Sequence, residues 1–425
     1  MKRWSVLSLV LLLVLVMSVG TGFAAKRTVE LSFWTFVQVH ADFFAERVAA
    51  FNETRDDIEV KLDAVVYPYA EMHDKLLIAL QSGIGAPDIV DIEIGKFGIY
   101  LKGDIQLEPL NDLLADYEGV LVPERMNLYA YQGNQYGLDW HLGTFVMYYN
   151  TDVLDTAGVD PDQIETWDDF IAAGKKVTGD TTVMTAVDTV GSFVFIALAQ
   201  LNGGGVYDQD GNVILDCDAN VEALQMVADW VRKYEIAMPA PSGLIDEAGF
   251  FALFNEGNIG CLMMPQWYMT RMTDFMPDLE GKVAIRPIPA WYPGGPRATM
   301  GGGTGTVITN QIARDKLPVA KELMEFSKLT YDAQVKIWTD LGFDPYRYDV
   351  FDDPALQVPD PYFSNESAFT VIKSVADNMM PQYMGPFYAD AWAIVCEDVV
   401  YGAVERGDDP ETLLKNAARR VRALR

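Results

Sequence analysis

Residues 300–309 read MGGGTGTVIT, four glycines in ten residues. Glycines grouped this way can cradle phosphate, so spacing has to decide. A P-loop needs a Lys directly after its last glycine, where it reaches the phosphates, but Thr306 follows Gly305. A dinucleotide fingerprint needs Gly-x-Gly-x-x-Gly opening a helix. Here the third position is Thr306, and the segment runs into Val307, Ile308 and Thr309, which suit a strand. The spacing argues against nucleotides. What remains is either a tight turn before a strand or a backbone that something approaches closely.

Other chemistry is constrained in the same way. His40, His73 and His141 are the only histidines, and no HExxH spacing joins any two. Cys217, Cys261 and Cys396 have no CxxC spacing, so a zinc site has little support. An oxidising compartment would allow one disulfide with a thiol left over; the three read as buried small apolar residues. Asp208-Gln209-Asp210-Gly211-Asn212 has the acids of a calcium loop, but its glycine is fourth, not sixth, and Val213 and Ile214 follow at once. A hairpin turn fits better. No Gly-x-Ser-x-Gly elbow marks a nucleophile. A secreted glycosidase needs two carboxylates at a set separation, and among 61 acidic residues some pair always qualifies, so acidity identifies none. No catalytic residue, metal or cofactor is expected.

The positive signal is aromatic rings beside polar groups. Phe36, Gln38 and His40 follow an apolar run that contains Trp34. Glu93 and Lys96 follow a second run, Trp140-His141 and Trp267-Tyr268 are adjacent pairs, and Trp392 lies near the C-terminus. Rings cover apolar C–H faces, while amides, carboxylates, imidazole and Arg bond hydroxyls. Each residue also has a bland reading. Trp34 and Phe36 suit a core, Gln38 and His40 a solvated loop, Glu93 and Lys96 an exposed pair.

Elements that could position these groups alternate along the chain. Val29–Trp34 reads as a strand. Asp42 and the residues after it start a helix, with Phe44, Val48 and Phe51 on one face. Ile58–Val66 is strand-like, Met72, Leu76 and Leu80 line a helix that Gly83 stops, and Pro87–Ile92 is a short buried strand. This β-α-β-α-β order predicts a parallel sheet with helices on its faces. Thr166-Trp167-Asp168-Asp169 is a capping box. Asp218 caps another helix, Asp246 precedes a third, and Asp409-Pro410 opens a last one striped by Leu414, Ala417, Val421 and Leu424.

Met1-Lys2-Arg3, an apolar run over 4–19 and small residues at Gly22 and Ala24 predict a secretory signal cut after Ala24. The run is short for a membrane anchor, and no Cys follows it for lipid attachment. The remaining chain, about 400 residues once such a signal is removed, suggests two domains. A formal charge of −29 argues against nucleic acid and anionic lipid as partners.

Several short segments, in order, resemble one family. They are Leu31-Ser32-Phe33-Trp34, Phe51-Asn52 with Ile58-Glu59-Val60, Ser82-Gly83 with Pro87-Asp88-Ile89, and Tyr136-Gly137 with Tyr148-Tyr149-Asn150. Ala157-Gly158, Thr166–Phe170, and Phe254–Gly257 with Ile259–Met263 complete the series. Together they resemble the extracellular solute-binding proteins of ABC importers, in the carbohydrate-binding group that includes maltose-binding proteins. Asp139 stands near the family's usual Pro, a small departure.

The resemblance implies an α/β fold of two lobes, the type II periplasmic-binding-protein fold, each lobe a mostly parallel sheet flanked by helices. It implies residues 25–142 and 300–344 in one lobe and 143–299 and 345–425 in the other. The chain would cross between them near Leu142–Phe145, Arg297–Gly303 and Gly342–Tyr346. The ligand would be a sugar held between the lobes by Phe36, Gln38, His40, Glu93, Lys96, Trp140, His141, Trp267, Tyr268, Gly302, Gly303, Thr304, Arg347 and Trp392. The glycines would let the sugar sit against peptide groups and absorb rotation at a hinge. The protein would be a periplasmic monomer that docks on a membrane permease and catalyses nothing. A polyamine or peptide ligand stays open, since Asp91, Glu93 and Asp139 suit a polycation.

Overall fold

The computed structural model describes residues 26–424; the expected signal segment, 1–24, lies outside the described residues. From the N-terminal side the elements are β1 (Arg27–Thr35), α1 (Gln38–Glu53), β2 (Ile58–Val66), α2 (Tyr69–Ser82) and β3 (Ile89–Glu93). Then come β4 (Gly137–Asp139), β5 (Phe145–Asn150), α3 (Trp167–Val177), β6 (Thr185–Val187), α4 (Phe193–Leu201), α5 (Asp218–Arg232) and β7 (Ala237–Pro239). Strands β8 (Cys261–Pro265), β9 (Val283–Pro287) and β10 (Thr304–Ile308) follow, with helices α6 (Leu317–Lys328), α7 (Tyr331–Leu341), α8 (Tyr388–Ile394) and α9 (Pro410–Arg422).

One sheet has the order β2-β1-β3-β10-β4. Alternate residues of β1 (Val29, Leu31, Phe33) are buried, while β3 is buried on both faces as a central strand should be. A second sheet, β8-β5-β9, is built on β5, all of whose residues are buried. The two sheets mark the two lobes.

The parallel sheet expected from the β/α alternation holds for β1, β2 and β3, but the mostly parallel sheet that the resemblance implies for each lobe does not. Strand β10 runs antiparallel to β3 and β4, and β5 runs antiparallel to both β8 and β9. The reason lies in chain direction. β1 and β3 end at the space between the lobes, whereas β10 enters its sheet from that side. Only the short β6–β7 pair is parallel in the second lobe.

Two segments pass between the sheets, residues 140–144 and 288–303, and a third, residues 342–344, is laced to them. Thr144 and Met300 form an antiparallel bridge, with Phe145 N donating to Thr299 O at 2.9 Å and Gly301 N to Gly143 O at 2.9 Å. From the third segment, the Asp344 carboxylate accepts from Gly143 N and Thr144 N, both at 2.9 Å. Gln266 closes the knot. Its N–H donates to Thr144 O at 2.8 Å, its amide nitrogen to Gly342 O, and its amide oxygen accepts from Asp344 N at 3.1 Å.

Local signals were mostly obeyed. Thr166 and Asp169 form the expected capping box, Gly83 ends α2 with φ 75°, and Asp409 caps α9 through Thr412 N. Asp208 accepts from Asp210 N and Asn212 N in a turn bridged by Tyr207 and Val213. Two starts differ. Helix α1 begins at Gln38, four residues before Asp42, which instead accepts from Gln38 Nε2 at 2.8 Å. Asp218 is the first residue of α5 and gives no side-chain cap. The three cysteines are unpaired, and among the described residues no helix is long and apolar enough to cross a membrane.

Candidate functional site

Strands β1 and β3 deliver side chains to the space between the lobes because both end there. Beyond β1, Thr35 Oγ1 accepts from Val37 N at 3.2 Å, which turns the chain into α1. Gln38 and His40 therefore sit on the first turn of a helix, not on a loop, and Phe36 lies in the bend just before it. Beyond β3, Glu93 leads into the short turn that carries Lys96. These residues border a cavity of about 950 Å³ between the lobes, large enough to enclose most of a ligand of several rings.

The cavity has aromatic walls on both sides. In the first lobe Phe36 meets Tyr69 edge-on, with ring centres 5.1 Å apart. In the second lobe Phe193 stands 6.2 Å from Trp267 and 6.1 Å from Trp392, and Trp392 lies nearly parallel to Tyr388 at 6.1 Å. Phe193 opens α4 after Ser192, whose φ of 62° turns the chain sharply; Asp188 anchors the turn by accepting from Val194 N at 3.1 Å and from Phe193 N. At one end α8 packs on the turn that carries Lys96, and Lys102 Nζ binds Asp390 at 2.9 Å.

Polar groups lie between the walls. Glu93 accepts from the Tyr69 hydroxyl at 3.1 Å. Burial pushes the Glu93 carboxyl up, against backbone donors, Tyr69 and Lys96. Arg271 Nε is held by Asp246 at 3.0 Å, and Asp274 and Asp340 reach the rim. No group of three or more His, Cys, Asp or Glu among the described residues is arranged to hold a metal ion.

Eleven of the fourteen expected residues border the cavity: Phe36, Gln38, His40, Glu93, Lys96, His141, Trp267, Gly302, Gly303, Thr304 and Trp392. Trp140, Tyr268 and Arg347 do not. Trp140 is fully buried, with His40 stacked on it at 4.0 Å and Lys328 Nζ 3.7 Å from its ring centre. Tyr268 is fully buried behind Trp267 and donates to Ile245 O at 2.5 Å. Arg347 is bound to Asp349 at 2.6 Å and to Leu329 O at 2.5 Å, in a segment that pairs with residues 120–122. Sequence reasoning missed Tyr69, Phe193 and Arg271. Tyr69 had a usable signal, since it opens the helix after β2 just as Gln38 opens the one after β1.

The glycine strip is crowded by the protein itself, rather than left bare for a ligand alone. A Cβ on Gly301 would lie 2.3 Å from Phe145, one on Gly303 1.7 Å from Arg125 Nη2, and one on Gly305 2.4 Å from Tyr129. Gly302, at φ 67°, faces the Trp267 indole, whose N–H donates to Gly301 O at 3.2 Å. Under the strip Arg125 Nη2 donates to Gly302 O at 2.8 Å and pairs with Asp139 at 2.7 Å, both side chains fully buried. Burial pushes the Asp139 carboxyl up, and Arg125 and Lys328 oppose that.

His73, behind Tyr69, makes one sharp prediction. Its Nδ1 donates to Tyr69 O at 2.8 Å and its Nε2 accepts from Glu93 N at 3.2 Å, so the ring is neutral. Burial, above all, pulls its pKa down to about 4. The unfolded chain takes up this proton first as pH falls, so the ring's contribution is intact above about pH 6.5 and is lost towards pH 4. His73→Gln does not titrate there. Urea unfolding should show the gap between wild type and variant shrinking by about 2 kcal/mol from pH 7 to pH 4. Parallel stability curves would mean that His73 titrates normally.

The chain was compared with known proteins. The sequence model of a family described as bacterial extracellular solute-binding protein matches residues 38–328. An arabinooligosaccharide-binding protein of Halalkalibacterium halodurans is 41% identical over 401 residues, 93% of this chain and 89% of the relative. One from Bacillus subtilis is 39% identical over 98% of this chain and 99% of its own length. The solved structure of the sugar-binding protein MalE from Xanthomonas citri superposes with a TM-score of 0.76 at 17% identity, covering 92% of this chain and 96% of that one. That likeness establishes the two-lobed fold.

Proposed function

We infer the cargo from one premise: the chain belongs to the bacterial extracellular solute-binding protein family. It is the substrate-binding component of an ABC importer for carbohydrate, and its cargo is an arabinose-based oligosaccharide. The observation that carries this is the cavity between the lobes, with rings on both walls and carboxylates, imidazoles and two amides between them. That combination suits a chain of sugar rings. The names of the two relatives support arabinose as the unit.

Mechanistically this is capture without turnover. One lobe binds first, closure adds the contacts of the other, and the greater affinity of the closed state drives the shift. The lobes comprise residues 26–142 with 300–348, and 143–299 with 349–424. The last return is completed only after Tyr348, because residues 346–348 are tied to 120–122. Residues 1–24 direct secretion and are removed. The protein acts outside the cytoplasmic membrane as a monomer and delivers its load to a permease. Of the three acids that suited a polyamine, Asp91 and Asp139 are occupied by protein partners, which leaves Glu93 alone of them on the cavity.

Calorimetry with arabinotriose, maltotriose, spermidine and a tripeptide tests the reading. Arabinotriose should bind and emerge unchanged, and at about 100 times Kd should add roughly 2.7 kcal/mol of stability. Binding of spermidine or peptide alone would overturn the carbohydrate assignment.

A further inference from the structure

Beneath the cavity lies a hydrogen-bonded cluster whose proton positions are fixed by its own chemistry. Its centre is Asp91, fully buried on β3. Oδ2 takes the Thr35 hydroxyl at 2.7 Å and His40 Nδ1 at 2.8 Å. Oδ1 takes the Trp140 indole N–H at 3.1 Å and the Thr306 hydroxyl at 2.7 Å. Three of these partners are placed to donate. An indole nitrogen can only donate. Thr306 Oγ1 already accepts from Lys328 Nζ at 2.9 Å, and Thr35 Oγ1 from Val37 N at 3.2 Å, so each hydroxyl hydrogen is left for Asp91.

A carboxylate offers about four lone-pair sites, and all are in use. A proton on either oxygen would point at a donor, so Asp91 is ionised and His40 Nδ1 carries the hydrogen. The His40 ring is buried and stacked on Trp140, with Lys328 on that same indole. A second cation beside Lys328 on the same indole is disfavoured and burial pulls the His40 pKa down, both of which favour a neutral ring with its lone pair on Nε2. Since Nδ1 is turned to Asp91, Nε2 is the nitrogen left for the cavity that His40 lines.

We propose that Asp91 is a positioning residue that locks His40 in the Nδ1–H tautomer, so that Nε2 accepts a hydrogen bond from one ligand hydroxyl. The proposal rests on the cargo bearing hydroxyls, as argued above. It makes His40 a discriminating contact. A hydroxyl can donate to the bare nitrogen, whereas an ether oxygen or a deoxygenated carbon cannot. Lys328 and Thr306 act at one remove by keeping Asp91 ionised and accepting.

Nitrogen-15 NMR of the histidines in the full secreted protein tests this directly. Without ligand at pH 7, His40 should show a protonated Nδ1 and an unprotonated, pyridine-type Nε2. Arabinotriose should move the Nε2 resonance towards that of a hydrogen-bonded acceptor without protonating it. Asp91→Asn presents an amide N–H to Nδ1, reversing the tautomer, and should weaken arabinotriose about 10- to 100-fold. Among singly deoxygenated arabinotrioses, one should bind wild type at least about 10-fold more weakly than the parent, and that difference should vanish in Asp91→Asn. A protonated Nε2 in wild type overturns the proposal whatever the cargo, as does unchanged binding once the tautomer has reversed. If arabinotriose does not bind but Nε2 is bare, the His40 assignment stands and the cargo falls.

Discussion

Trp267→Ala should weaken oligosaccharide binding by about 100-fold, roughly 3 kcal/mol, which places it among the dominant contacts of the site. Two losses combine. The indole faces Gly302 on the cavity wall, so its removal takes away a stacking face. Its N–H also holds Gly301 O at 3.2 Å, so the strip is freed on the cavity side. Trp267→Phe separates the two. It keeps a face and loses the hydrogen bond, and should recover at least half of the lost free energy. Calorimetry on both variants, with circular dichroism to confirm folding, is sufficient. Near-wild-type affinity in Trp267→Ala would remove this residue from the site and weaken the case for the whole second-lobe wall.

The second large effect is on stability. Arg125→Met leaves Asp139 buried without its counter-ion and should cost about 3–5 kcal/mol at neutral pH, read as the urea midpoint. The loss should shrink as pH falls. Burial already pushes the Asp139 carboxyl up, and with Arg125 gone it takes up its proton at a still higher pH, so the variant gains more than wild type on the acid side. Arg125→Met with Asp139→Asn removes both charges and should recover part of the loss. A single variant as stable as wild type would mean that Asp139 finds another partner.

The fold was legible because its signals are local and repeated. Buried positions recur on α1 and α2 with helical spacing, Gly83 and the Thr166–Asp169 box mark their own boundaries, and the short family segments occur in order. The site was legible only in part. Trp140 and His141 were read as a pair, yet consecutive residues of an extended chain point to opposite sides. His141 faces the cavity and Trp140 the lobe's interior. Trp267 and Tyr268 diverge for a similar reason, being neighbours on a tight turn. Phe193 was hidden because its direction depends on the backbone turn at Ser192 and the anchor at Asp188. The glycines were read as room for a ligand, because nothing in the sequence says that Phe145, Arg125 and Tyr129 converge on them.

The knot of Asp344 and Gln266 has a mechanical consequence. Separate strands joining two bodies could twist, slide or bend past one another. Here the first is bridged to the second, and the third is pinned to the first through two amide hydrogens. Sliding or twisting would break several buried hydrogen bonds at once, whereas bending the bundle as a unit breaks none. The closure proposed above would thereby be reduced to motion about a single axis, so that little orientational entropy would be lost when the lobes meet. The closed shape would then be nearly the same for every cargo that allows closure.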